Sequence, residues 1–191
     1  MRVVKETDVK KVSSFVIKVD MEHAGMETVK LLFDDMEITF SATYDGEEFI
    51  YSMLKSLNHF ELHGYDKFVL YNYTRGEQTT IETRRDDQMV SVEIEHLDHE
   101  FERYGINIRR YGVIIPFEVY RQSVIDAGLD ILRRYGNNGY SENWAIIGGT
   151  YFIGSLISAL TSKRVSPVEK DDKIWWRSNI KEELQTLMDS L

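Results

Sequence analysis

The amino-acid sequence predicts a single α+β domain over residues 1–191, with an antiparallel sheet in residues 14–115 and helices in residues 116–191. Three β-rich runs lie within Lys67–His96, joined by the short polar segments RGEQ and RDDQ. Consecutive strands with turn-length connections form an antiparallel meander. The last run, MVSVEIEH, alternates apolar with polar residues, which predicts one apolar face and one acidic face. After this β-rich part, apolar residues recur at helical spacing, so we expect helices that cover the sheet.

The first part of the chain predicts a strand and a hairpin. Residues 1–13 are polar, and we expect a frayed segment or a short helix there. The run SFVIKVD at residues 14–20 places three apolar residues on one face of a strand. Two further strands, Thr28–Phe33 and Met36–Tyr44, are separated only by an Asp-Asp pair. This spacing predicts a hairpin with two carboxylates at its tip.

One helix is inserted between the hairpin and the meander. Asp45 is a suitable N-cap, and Glu48 stands three residues later, as in a capping box. Apolar residues at helical spacing predict a helix over Glu47–Asn58 that packs on the sheet. We expect His59 and His63 to lie in the loop that follows.

The last third of the chain predicts one more strand and then helices. The strand covers Gly105–Ile115, and Pro116 fits the first position of a helix that ends at Gly136, where GNNG makes a turn. The long uncharged run NWAIIGGTYFIGSLISAL predicts a buried central helix. A final helix begins at Ser178, with acidic residues in its first turns.

The composition narrows the class of function. Residues 1–103 carry 12 basic and 22 acidic side chains, whereas residues 104–191 carry 11 and 10, so the front part holds almost all of the formal net charge of -9. An acidic surface repels nucleic acid and attracts basic partners. The chain has no cysteine, which excludes disulfides, thiol catalysis and zinc–thiolate sites. With no recognisable signal peptide or membrane-spanning segment, we expect a cytoplasmic protein. No cofactor is predicted.

Two kinds of candidate site remain. The run Glu95–Glu100, EHLDHE, is the densest group of potential metal ligands or acid–base residues, although His96 and His99 share a face only in a helix. The second kind is a partner-binding surface, which combines acidic residues with two aromatic anchors. Its acidic members, here called the acidic edge, are Asp34, Asp35, Glu37, Asp86, Asp87, Glu93 and Glu95. Its aromatic members are Trp175 and Trp176.

The general character of the chain resembles that of known bacterial proteins. It is an acidic, cysteine-free α+β domain whose strands lead into a Pro-Phe-Glu-x-Tyr helix start at Pro116–Tyr120. In these features it resembles the immunity proteins of polymorphic-toxin and contact-dependent systems. The resemblance implies a protein that binds a toxin domain and blocks it, but it identifies no specific family and assigns no residue.

Three functions are consistent with the sequence. The first is an inhibitor or immunity protein that neutralises a basic partner at the acidic edge. The second is a small enzyme or ligand-binding domain that uses Glu95, His96, Asp98 and His99. The third is a structural protein, such as a phage component, that forms homo-oligomers through sheet edges and apolar helices. No segment of the sequence specifies a reaction, so the sequence favours a non-enzymatic function over an enzymatic one.

Overall fold

A computed structural model of the chain describes residues 3–6, 9–23, 26–43, 49–72, 75–98, 107–143 and 185. These residues form nine strands and two helices. In chain order the elements are β1 Val3–Glu6, β2 Lys10–Lys11, β3 Val16–His23, β4 Met26–Phe33, β5 Met36–Thr43, α1 Phe49–His63, β6 Tyr65–Asn72, β7 Glu77–Asp86, β8 Met89–Asp98, β9 Asn107–Pro116 and α2 Phe117–Asn143.

The strands form two sheets, and the α+β class is confirmed. The large sheet has the order β1-β9-β8-β7-β6, with β2 also paired to β9, and the small sheet has the order β3-β4-β5. Strands β6 to β9 are successive antiparallel neighbours. The prediction of one antiparallel sheet is wrong in this respect, because β3, β4 and β5 form a sheet of their own.

The prediction for residues 1–13 is also wrong. Strands β1 and β2 pair in parallel with β9, from Val3 opposite Asn107 to Lys11 opposite Ile114. Both strands are short, and Lys10 and Lys11 are exposed. A polar strand at a sheet edge has no apolar alternation, and its partner lies about a hundred residues away along the chain, so local pattern does not reveal it.

The predicted hairpin is confirmed as β4 and β5. Phe33 pairs with Met36, so Asp34 and Asp35 form a two-residue turn. The side chains of β4 alternate between half-buried and buried along the strand. Asp34 has a φ of 41°, in the left-handed region that Asp tolerates better than most residues.

Helix α1 is longer than predicted. Its apolar stripe is buried as expected, but the helix continues to His63, so His59 and His63 are helical and not loop residues. The stripe continues because Phe60 is buried beside the rings of Phe117 and Tyr120. The helix is followed by Gly64, with a φ of 63°. The predicted cap at Asp45 lies outside the described residues.

Helix α2 begins one residue later than the sequence indicates, and it also ends later. Pro116 is the last residue of β9, and the helix begins at Phe117, whose N–H donates to the carbonyl of Gln88. The helix runs past Gly136 to Asn143, so the predicted end at Gly136 is wrong. A glycine inside a helix costs only about 1 kcal/mol relative to alanine, which neighbouring turns can offset.

The helices predicted after residue 143 lie outside the described residues, except that Gln185 is helical and exposed. Within the described part of the chain, no helix combines the length and the apolar character needed to cross a bilayer.

Both sheets and both helices contribute to one apolar core. Its aromatic centre is a stack in which the ring of Phe15 lies 4.8 Å from that of Phe33 and 5.9 Å from that of Tyr120. Helix α1 packs on β6 and on α2. Helix α2 also packs on β3 and contacts β8 and β9. Helix α2 therefore bridges the small sheet and the large sheet.

Candidate functional site

The two acidic turns of the acidic edge lie at the same end of the molecule. Strand β2 runs beside the end of β9, and the N–H of Val12 donates to the carbonyl of Ile114 at 3.0 Å. Residues 13 and 14, which follow, bind Asp34 in the first turn. The second turn, between Asp86 and Met89, lies at this end too, because Met89 pairs with Pro116. We call this region the acidic turn end.

Asp34 holds this end together and does not project freely. Its carboxylate accepts hydrogen bonds from the backbone N–H groups of Ser13 and Ser14, at 3.0 and 2.8 Å, and from both of their hydroxyls. The N–H of Asp34 donates to the Ser14 hydroxyl. These donors, Ser14 first, lower the pKa of Asp34 to about 2. Asp34 therefore ties the hairpin turn to the segment between β2 and β3.

The other carboxylates of the two turns are exposed. Asp35 is 83% exposed, and its carboxylate lies 4.0 Å from the Lys10 ammonium, a distance at which a surface ion pair contributes little. Glu37 is exposed and accepts a hydrogen bond from the Thr39 hydroxyl. Asp86 and Asp87 are both exposed.

Asp87 resembles Asp34 in its backbone. It is the first residue of its turn and has a φ of 51°, so this turn too favours Asp for conformational reasons. The Arg85 guanidinium lies 3.6 Å from the centre of the Phe117 ring and donates to the Asp87 carbonyl. A cation therefore stands beside the second acidic turn.

The outward face of the large sheet is mixed in charge, whereas the sequence predicts an acidic face. Glu82 accepts a hydrogen bond from Arg84 at 2.6 Å, which lowers its pKa, and lies 3.6 Å from the ammonium of Lys67. Glu95 accepts from Arg110 at 2.7 Å. Cations on neighbouring strands thus lie beside two of the carboxylates on this face.

The acidic edge is consequently smaller than predicted. Asp34 and Glu95 are engaged in contacts within the fold, and the exposed members are Asp35, Glu37, Asp86, Asp87 and Glu93. We call these five the exposed carboxylates. Trp175 and Trp176, the predicted aromatic anchors, lie outside the described residues.

The Glu95–Glu100 cluster is not brought together as a site. Strand alternation places Glu95 on the outward face, while His96 and Asp98 point to the opposite face, and His99 and Glu100 lie outside the described residues. Among the described residues, no group of three or more His, Cys, Asp or Glu side chains could hold a metal ion.

His96 is nevertheless held in a defined environment. Its Nδ1 lies 2.9 Å from the hydroxyl of Thr79, on the neighbouring strand. Burial, and then the positive charge of Arg109, lower the pKa of His96. The imidazole therefore stays neutral to a lower pH than an exposed histidine does.

Sequence reasoning missed a buried carboxylate, Glu27. It is fully buried, and its Oε1 accepts a hydrogen bond from the N–H of Phe49, the first residue of α1, at 2.8 Å. The signal was present in the sequence, because Glu27 shares the parity of the apolar residues Val29, Leu31 and Phe33 in β4. A carboxylate in that register points into the core, where it can accept a hydrogen bond from a backbone N–H at a helix N-terminus.

A groove between β3 and α2 was also missed. It has a volume of about 480 Å³ and is lined by residues of β3 and of one side of α2. No local pattern reveals it, because the two elements are about a hundred residues apart in sequence. Comparison with known proteins adds no assignment: no family model, curated protein or solved structure matches this chain.

Proposed function

We propose that this protein is an inhibitor or immunity-type binding protein, which neutralises a basic partner such as a toxin domain by docking it on the acidic turn end. The observation that carries the proposal is that two separate hairpin turns present Asp35, Asp86 and Asp87 at one end of the molecule. Like charges collected at one end produce a field that speeds the approach of an oppositely charged protein.

The proposal assigns different roles to the acidic residues. Asp34 supports the surface by fixing the first turn, and the exposed carboxylates steer the partner. Rim charges of this kind affect the association rate more than the affinity, so apolar anchors must supply most of the binding energy. Trp175 and Trp176 remain the predicted anchors.

The experiment uses the protein encoded by the neighbouring gene as the candidate partner, purified in a catalytically inactive form. We expect a stable complex, and we expect co-expression with the active form to restore growth. Two charge-matched variants of β7 and β8 then localise the interface. The variant Asp86→Asn/Asp87→Asn alters the acidic turn end, and Glu77→Gln/Asp98→Asn alters the opposite end of the same two strands.

The association rate at low salt should fall about tenfold in the first variant and change little in the second. Asn at position 87 also tolerates a positive φ, so the turn is preserved. Equal rates for both variants, or a partner that binds neither them nor the wild type, would contradict the proposal.

A second candidate function is a ligand-binding domain centred on His96. The favouring observation is that His96 is half-buried and positioned by Thr79, with Asp98 and Arg109 contributing to its electrostatic environment. Metal analysis of the purified protein, with and without His96→Ala, tests it. A bound metal or ligand that is lost in the variant would favour this function over the first.

A further inference from the structure

The last turn of α1 carries two histidines that neither candidate function uses. His59 and His63 are four residues apart in a helix that ends at His63. Side chains at this spacing lie on the same face of a helix, and two histidines spaced in this way bind zinc in helical metal sites. The His59 side chain is 35% exposed and His63 is exposed, so ions in solution can reach both rings.

The two rings are close enough for one ion to bridge them after a small rotation. Their centroids lie 6.3 Å apart, and their planes are inclined at 74°, so the rings are not stacked on each other. A zinc–nitrogen bond of about 2.0–2.1 Å places two imidazole centroids about 5 Å apart in a tetrahedral site. Because His63 is exposed, rotation about its side-chain bonds can supply the difference of about 1 Å.

A carboxylate behind His59 determines which of its ring nitrogens can bind an ion. The Nδ1 atom of His59 lies 3.4 Å from Oδ1 of Asp66, whose side chain is only 18% exposed. A carboxylate in this position favours the proton on Nδ1, which leaves the lone pair on Nε2 for a ligand. No described residue bonds to Nε2 of His59 or to either ring nitrogen of His63. Metal-binding histidines commonly have such a carboxylate beside the ring nitrogen that does not bind the metal.

The position of the histidine pair in the fold favours a cation. Both rings belong to the C-terminal turn of α1, where the helix dipole is negative. The carbonyl of Gly64, directly after the helix, accepts a hydrogen bond from the N–H of Arg85 at 2.8 Å. The pair therefore lies at the acidic turn end, where β7 leads into Asp86 and Asp87. Exposed carboxylates collected there raise the local concentration of cations.

We propose that His59 and His63 form a chelating site for a divalent transition-metal ion, with Asp66 as the residue that positions the His59 ring. Imidazole nitrogen suits Zn²⁺, Cu²⁺ and Ni²⁺, whereas Mg²⁺ and Ca²⁺ prefer oxygen ligands. The site has two protein ligands and water in its other positions, in agreement with the absence of a three-ligand group among the described residues. This inference goes beyond the proposed function, because it requires no protein partner.

The test is a titration of the full chain with Zn²⁺ at about pH 7.5, where an ordinary imidazole is neutral, followed by NMR of the imidazole nitrogens. At submillimolar Zn²⁺ we expect the resonances of His59 and His63 to move with one common midpoint. The Nε2 resonance of His59 should carry the metal-induced shift, while Nδ1 keeps its proton. Mg²⁺ at an about tenfold higher concentration should move neither histidine, because it prefers oxygen ligands.

Three variants localise the site. His63→Ala removes one ligand at an exposed position and should weaken Zn²⁺ binding at least about tenfold. The double variant His63→Ala/Lys67→His keeps the number of histidines but moves one to the face of β6 opposite Asp66, so it should bind as weakly as His63→Ala. Asp66→Asn keeps the shape of the carboxyl group. It should weaken binding about tenfold and give His59 a mixture of both neutral tautomers.

Unchanged imidazole resonances of His59 and His63, an equal response to Mg²⁺, or full Zn²⁺ binding by His63→Ala or by the double variant would overturn the inference. Movement of the His96 resonance alone would also overturn it, and would assign the metal to the second candidate function. The titration contains no partner protein, so its result is independent of whether the acidic turn end docks a basic protein.

Discussion

Replacement of Glu27 by alanine should destabilise the protein more than any exposed acidic substitution. Glu27 is fully buried, and its carboxylate accepts the Phe49 N–H at the start of α1. Loss of a hydrogen bond to a charged group costs about 1.5–3 kcal/mol, and loss of one buried methylene adds about 0.8 kcal/mol. We therefore expect Glu27→Ala to lower the free energy of unfolding by about 2–4 kcal/mol.

Glu27→Gln separates the hydrogen bond from the charge. The amide oxygen of glutamine can still accept the Phe49 N–H, so only the attraction between the carboxylate and the helix N-terminus is lost. That attraction contributes about 1–2 kcal/mol for a charge shielded from solvent at a helix N-terminus. The expected loss in Glu27→Gln is therefore about half of the loss in Glu27→Ala.

Urea denaturation measures both changes as shifts of the midpoint at constant slope. Glu37→Ala, an exposed glutamate on the neighbouring strand, is the control and should change stability by less than about 0.5 kcal/mol. A midpoint for Glu27→Ala equal to that of the control would refute the assignment of Glu27 to the start of α1.

Three further predictions concern pH and packing. Because the pKa of Asp34 is lowered to about 2, its stabilising contribution is complete above about pH 4 and is lost as the pH falls towards 2. Asp34→Asn should therefore flatten the acid limb of the stability curve, and an unchanged limb would contradict the role of Asp34. The pKa of His96 is lowered in the folded protein. The stability that the neutral imidazole contributes is therefore present above pH 6.5, the ordinary pKa of histidine, and is lost as the pH falls through the lower pKa of the folded state. An NMR titration of the imidazole at or above 6.5 would show this to be wrong. Finally, a Cβ at Gly112 would lie 2.9 Å from Cγ2 of Val9, so Gly112→Ala should cost about 1–2 kcal/mol and Val9→Ala should relieve most of it in the double variant. Strictly additive effects in urea denaturation would mean that Val9 does not contact Gly112.

The local sequence pattern was sufficient to predict those strands and helices whose two faces differ in polarity. The alternation in Met36–Thr43 and the stripe of α1 both predict the faces that the structure buries. The errors occur where a distant partner decides the conformation. Strand β1 is a strand because β9 lies beside it, and α1 reaches His63 because Phe60 finds aromatic rings of α2. Neither partner can be identified from nearby sequence.

The candidate surface shows a different limit. The carboxylates can be counted in the sequence, but the sequence does not show which of them accept hydrogen bonds within the fold. The two turns begin with Asp34 and Asp87, both at positive φ. The backbone conformation therefore favours Asp at each position, independently of any partner. Asp34 and Glu95 have internal donors, whereas Asp35 and Asp86 are exposed. Only the tertiary contacts distinguish the two groups.

The most direct test of the proposed function is the rate constant of association with the basic partner, measured by stopped flow as a function of ionic strength. The proposal predicts fast association at low salt that slows steeply as salt is added, because the field of the exposed carboxylates is screened. Dissociation should change much less. A slow association rate that does not vary with salt would contradict the claim that the acidic turn end steers the partner.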